Sequence, residues 1–267
     1  MIVVFAGPSL AGERLDRFGG MDFLPPVKQG DLYLAAQDGP EAIGVIDGMF
    51  DGVPSVWHKE ILWAMSREIP VFGGASMGAL RAAELDSFGM TGIGRIYEAY
   101  RDGILEDDDE VALQHGPAEA GYAPLSLAMI NIRATLDEAL RVGRLTQDQR
   151  GAIAGQAKAI HFKERTWEAV LAALERVPGV DARDVCAWLQ ENYIDLKKAD
   201  ALELLARLQD AGNWLDRPVG FHFEHTELWR QGVVEWRQRP DPVNTVDDTA
   251  FRLVPRERLF RSAGGED

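Results

Sequence analysis

Cysteine is nearly absent: Cys186 stands alone, which excludes an intrachain disulfide and a thiolate metal cage. Histidine is scarce too, at 5 residues, and no H-E-x-x-H pair occurs; His222-Phe223-Glu224-His225 lacks that spacing. No window approaches the ~18 unbroken apolar residues of a membrane span. Positive charge is short, with 28 Lys and Arg against 43 Asp and Glu and a net charge of -15. That balance repels nucleic acid phosphates and anionic membrane surfaces. A G-x-x-x-x-G-K-[ST] phosphate loop is missing, and Gly92-Ile93-Gly94 is too short for a dinucleotide fingerprint. No metal or other cofactor, nucleic acid or membrane partner is expected, and the cytoplasm is the default compartment.

What is present suits a globular protein: 267 residues, 46% hydrophobic and 27% charged, enough for one large domain or a domain with an appendage. Residues 2–6 form a continuous apolar run without a basic leader and ending at Gly7-Pro8-Ser9. They read as a first buried strand rather than a signal peptide. Residues 31–35 alternate and read as a second strand. Residues 43–47 and 69–72 are clear strands, and 111–117 reads as a further one. Ser55 is placed to cap a helix in which Trp57, Ile61 and Met65 share a face. The expected fold is α/β, a mostly parallel sheet flanked by helices in the Rossmann or flavodoxin-like manner, followed by an all-helical segment. The boundaries read as 1–120 for the α/β domain, 121–212 for the helical region and 213–267 for an irregular C-terminal extension with a loose tail.

The chemistry centres on Gly74-Ala75-Ser76-Met77-Gly78, a G-x-S-x-G pattern between an apolar run and an Ala-rich helix. A sharp strand-to-helix turn crowds the backbone, so glycine flanks a serine expected to expose its hydroxyl. The Met77 and Gly78 amides are expected to hold an oxyanion at the helix N-terminus. In a parallel sheet the loops after residues 6, 47 and 74 share one rim, which is expected to gather Gly7 to Ser9, Asp47, His58 and Ser76. His58, in the first turn of its helix, is the first candidate base, and His115, before Gly116-Pro117, is its competitor. Asp47 is expected to orient either one. Lys59 is a candidate for binding an anionic substrate or for an alternative base, Arg81 for binding that substrate or for pairing with Glu84 three residues on, and Arg133 is grouped with them. The acidic run 106–110 is either a solvated loop or a cation site.

Seven segments together resemble the TfuA-like family, whose members accompany YcaO proteins. They are Gly7-Pro8-Ser9, Val56-Trp57-His58-Lys59-Glu60-Ile61-Leu62, the stretch from Gly74 to Leu85, His115-Gly116-Pro117, Asn131-Ile132-Arg133-Ala134-Thr135-Leu136, His161-Phe162-Lys163-Glu164-Arg165-Thr166-Trp167 and Lys197-Lys198-Ala199-Asp200-Ala201. The resemblance spans about residues 1–208. It implies a part in peptide backbone thioamidation, in which a YcaO protein activates the amide with ATP and sulfide replaces the oxygen. The implied partners are the YcaO protein, a ThiS-like sulfur carrier protein ending in a thiocarboxylate, and the precursor peptide. Two expectations follow: Ser-dependent hydrolysis of the thiocarboxylate, or a non-catalytic scaffold that activates the YcaO protein.

Overall fold

The computed structural model describes residues 1–210 and 220–238. Five strands form one parallel sheet: β1 (Ile2–Phe5), β2 (Met21–Leu24), β3 (Ala42–Val45), β4 (Val71–Gly74) and β5 (Thr91–Ile93), in the order β2-β1-β3-β4-β5. The order reverses direction between β1 and β3. The crevice for ligands in such sheets opens there, beyond the carboxyl ends of the strands.

The first helices are α1 (Asp31–Ala36), α2 (His58–Ser66), α3 (Met77–Leu85) and α4 (Arg95–Arg101). Then follow α5 (Met129–Arg141), α6 (Gln147–Lys158), α7 (Trp167–Leu174), α8 (Ala182–Glu191), α9 (Leu196–Gln209) and α10 (Glu227–Arg237). The two sheet faces alternate as the pleat requires. Val3, Phe5, Ile43, Val45 and Val71 pack on α1, α2 and α3. Ile2, Val4, Ala42 and Phe72 pack instead on Ala201, Leu204, Leu205 and Leu208 of α9. The chain thus returns from its helical region to cover the sheet, and α9 belongs to both. Helices α5 to α8 bury a core of their own around Met129, Leu136, Ile153, Val170 and Leu189, with Cys186 inside it.

Several expectations are corrected. Residues 31–36 are helix, not strand, with all six residues buried, so alternation carried no information there. The second strand lies earlier, at β2. Residues 111–117 form no strand; His115 makes only an isolated bridge to Pro124. Ser55 does not cap α2, since its hydroxyl donates to Met49 O at 2.9 Å and Trp57 is the N-cap residue.

The first three residues of the acidic run, 106–108, are exposed as a solvated loop would be, whereas the last two are held by cations. Asp109 pairs with Arg165 and Lys158, and Glu110 with Arg133 and Lys158. Burial opposes charge on Asp109 and Glu110, yet these cations hold both below the ordinary carboxylate range. Of the C-terminal extension, residues 227–237 are helical, and α10 packs its Trp229 and Trp236 against Tyr33. The expected loose tail lies outside the described residues.

Candidate functional site

The strand-to-helix turn after β4 is as tight as the glycines imply. Ala75 takes φ +64, a left-handed conformation, and Ser76 N donates to Gly74 O at 2.8 Å. A Cβ on Gly78 would lie 1.7 Å from Val45 O, and one on Gly74 would lie 2.8 Å from Ile93 O. Glycine is therefore what lets α3 start against the sheet. The strained residue is Ala75 rather than Ser76, and Ser76 is only 1% exposed. The expectation of a serine held out on the surface is corrected: its hydroxyl faces a cavity, not bulk solvent.

That cavity, about 180 Å³, lies on the carboxyl rim of the sheet. Ser76, Asp47 and Pro8 form its sheet side, His115 and Leu113 come from the loop before α5, and Phe162 and Lys163 from the loop before α7. Lys197, near the start of α9, closes it. The site therefore lies between the sheet and the helical region.

Asp47 is 1% exposed and accepts three hydrogen bonds from the loop after β1: Gly7 N at 2.9 Å, Ser9 N at 3.0 Å and Ser9 Oγ at 2.7 Å. Gly7, Ser9 and Asp47 thus meet as expected, but to build the rim across the β1/β3 switch point. Asp47 orients no histidine among the described residues. His115 Nδ1 donates to Gly116 O at 2.8 Å, which leaves Nε2 as the acceptor nitrogen of a neutral ring.

The other candidates sit elsewhere. His58 is exposed, outside the cavity lining, with Nε2 2.7 Å from Glu84 Oε2. Arg81 Nη1 donates to the same Glu84 oxygen at 2.7 Å and its Nε to Val56 O. Lys59 Nζ donates to Glu224 O and Thr226 Oγ1, fastening the segment before α10. Arg133 makes a two-pronged pair with Glu110 at 2.8 and 2.9 Å. All four lie outside the lining of the Ser76 cavity, each paired with neighbours of its own. Of the two oxyanion donors expected, the Gly78 N–H is taken by Ile46 O at 3.2 Å, while Met77 N–H finds no backbone acceptor among the described residues.

Sequence reasoning missed Lys163 and Lys197. Lys197 carried a readable signal, because it falls in the buried register of α9 with Ala201, Leu204, Leu205 and Leu208, at spacings of about one helical turn. It is 2% exposed. Burial pushes its ammonium below the ordinary lysine value, against the opposing charges of Asp47 and Asp195.

No curated protein matches the chain. Residues 47–166 match the model of the family described as TfuA-like protein. That stretch, a little under half of the chain, runs from Asp47 through Ser76 and His115 to Lys163, so the part similar to the TfuA-like family spans three walls of the cavity.

Proposed function

We propose that this chain works beside a YcaO protein in peptide backbone thioamidation and liberates sulfide there by hydrolysing the thiocarboxylate of a sulfur carrier protein. The match of residues 47–166 to the TfuA-like family supports the YcaO partnership. The observation that carries the hydrolysis is the placement of Ser76 at a strained strand-to-helix turn, facing a cavity that also holds His115 and two lysines. About 180 Å³ accommodates the end of an extended chain but not a folded surface. A carrier that presents its thiocarboxylate on a protruding C-terminal tail fits that shape.

An ionised thiocarboxylate resists nucleophiles unless its charge is offset. Lys59 and Arg81 lie outside the cavity lining, so Lys197, and Lys163 beside its partner Asp51, take that part. Ser76 Oγ attacks the carbonyl carbon, the Met77 amide receives the developing oxyanion, and the C–S bond breaks as the serine proton passes to sulfur, so that hydrosulfide departs and an ester is left on Ser76. His115, its Nδ1 committed to Gly116 O, uses Nε2 to activate the water that frees the carrier.

The test is sulfide release from a thiocarboxylated carrier by the full chain. Ser76→Ala is expected to lower the rate by on the order of 10³-fold or more. The burial of Ser76 favours a second reading, in which the chain is a scaffold for the YcaO protein and the serine only shapes the turn. Silence of both forms without the YcaO protein, and equal activity with it, establishes that reading instead.

A further inference from the structure

Glu60, in the first turn of α2, is fully buried and accepts from three backbone N–H groups: Gly30 at 2.9 Å, Trp57 at 2.9 Å and Tyr33 at 3.3 Å. The same three residues carry Trp236, from the last turn of α10. Its indole stands on the open face of Gly30, whose φ of +90 and missing side chain leave the room; a Cβ there would lie 2.6 Å from the ring. The ring centre lies 5.4 Å from that of Trp57 and 5.6 Å from that of Tyr33. One indole thus covers the carboxyl's whole donor set. At the other end of α10 the residue before Glu60 takes hold, since Lys59 Nζ donates to Glu224 O and to Thr226 Oγ1, the N-cap side chain of that helix. The indole N–H itself is buried with no hydrogen-bond partner among the described residues, a polar cost that limits how firmly α10 closes.

The position of α10 and the proton on Glu60 are therefore coupled. We infer that α10 is a proton-controlled latch, which grips α1 and α2 while Glu60 carries its proton and loosens as the carboxyl ionises, baring the rings of Tyr33, Trp57 and Trp63. Burial pushes Glu60 up to about 7, against its three donors. Lifting the indole readmits water and lets that value fall toward the ordinary 4.5. A proton held more tightly in the closed form favours closure. That gain is complete below the open-form value and is lost as pH climbs to the closed-form one. Its ceiling is about 300-fold in the opening equilibrium, reached if opening restored 4.5 in full. The charged groups around the carboxyl are Asp31 on α1, which opposes ionisation, His58 and Lys59 before it on α2, Arg237 on α10, which stacks over the Tyr33 ring, and His225, which stacks on Phe223 just before α10.

The experiment follows amide hydrogen exchange along α10 in the full chain from pH 5 to 8, expressed as protection relative to the chemical exchange rate at each pH. Wild-type α10 is expected to lose at least about 10-fold in protection between pH 5 and 7 and then level off, a larger loss than in α8. Glu60→Gln, which keeps an acceptor oxygen and never ionises, is expected to give a flat profile. The reciprocal measurement titrates Glu60 itself by carbon-13 NMR, where Trp236→Ala is expected to move its midpoint from about 7 toward 4.5. Wild-type protection that stays constant over this range, or falls equally in α8, overturns the latch. So does a decline that survives in Glu60→Gln, which assigns the switch to His58 or His225. If Glu60→Gln fails to fold, the titration decides alone, and a midpoint unmoved by Trp236→Ala overturns the coupling.

Discussion

Gly78 and Gly155 are both helical glycines, and their surroundings give them opposite meanings. A methyl on Gly78 meets Val45 O at 1.7 Å, a backbone atom that cannot swing aside, whereas Gly155 has open space around it. Gly78→Ala is therefore expected to destabilise by about 2 kcal/mol or more, and Gly155→Ala to stabilise by up to ~1 kcal/mol through helix propensity. Urea unfolding of both variants checks this, and a neutral Gly78→Ala would mean that α3 does not start against β3. At the same scale, Ser76, Asp47, Gly7 and Ser9 were legible as a cluster because each ends or follows a strand of a parallel sheet, where topology alone sets neighbours. His58 was misplaced because a first-turn position says nothing about which side of the sheet its helix covers. Lys197 escaped because it arrives from a helix some 120 positions after Ser76 in the chain, and its register marks it as buried without saying which site it reaches.

α10 tests what a single element contributes. Trp236 is 1% exposed, sits over Gly30 and packs among Tyr33, Trp57 and Trp229 at ring-centre distances of 5.4 to 5.6 Å. Trp236→Ala is expected to cost about 3–5 kcal/mol and to open α10 to trypsin at Arg230 or Arg237. Fluorophosphonate labelling of Ser76 should be unchanged, because α10 does not line the cavity; loss of labelling would instead tie this helix to the site. Legibility at this scale followed length and period. β1, β3 and β4 are continuous apolar runs buried on both faces, and they read correctly. β5, only Thr91–Ile93 with a glycine at its centre, offers too few positions to show a period. Residues 31–36 misread because a short helix buried on every side has no polar face to set its rhythm against that of a strand.

Over the whole molecule, two groups of carboxylates pull stability in opposite directions along the pH scale. Burial raises Glu60 to about 7, against the N–H groups of Gly30, Trp57 and Tyr33 that donate to it. It raises Asp200 to about 6, although Ile96 N donates to it at the start of α4. A carboxyl whose folded value is raised binds its proton more tightly in the folded chain, so its contribution declines as pH climbs from about 4 to 7, by on the order of a few kcal/mol for the pair. Asp109 and Glu110 are depressed, so their contribution is present above their ordinary values and is lost as pH falls below them. Self-repulsion from a net charge of -15 at neutral pH acts in the same sense as the raised pair. The melting temperature is therefore expected to peak near pH 5 and to drop by on the order of 5–10 °C by pH 8. Asp200→Asn should flatten part of that fall, since the amide keeps an oxygen for Ile96 N and never ionises. A melting temperature that rises steadily from pH 5 to 8 would show that the donors around Glu60 and Asp200, rather than burial, govern their ionisation.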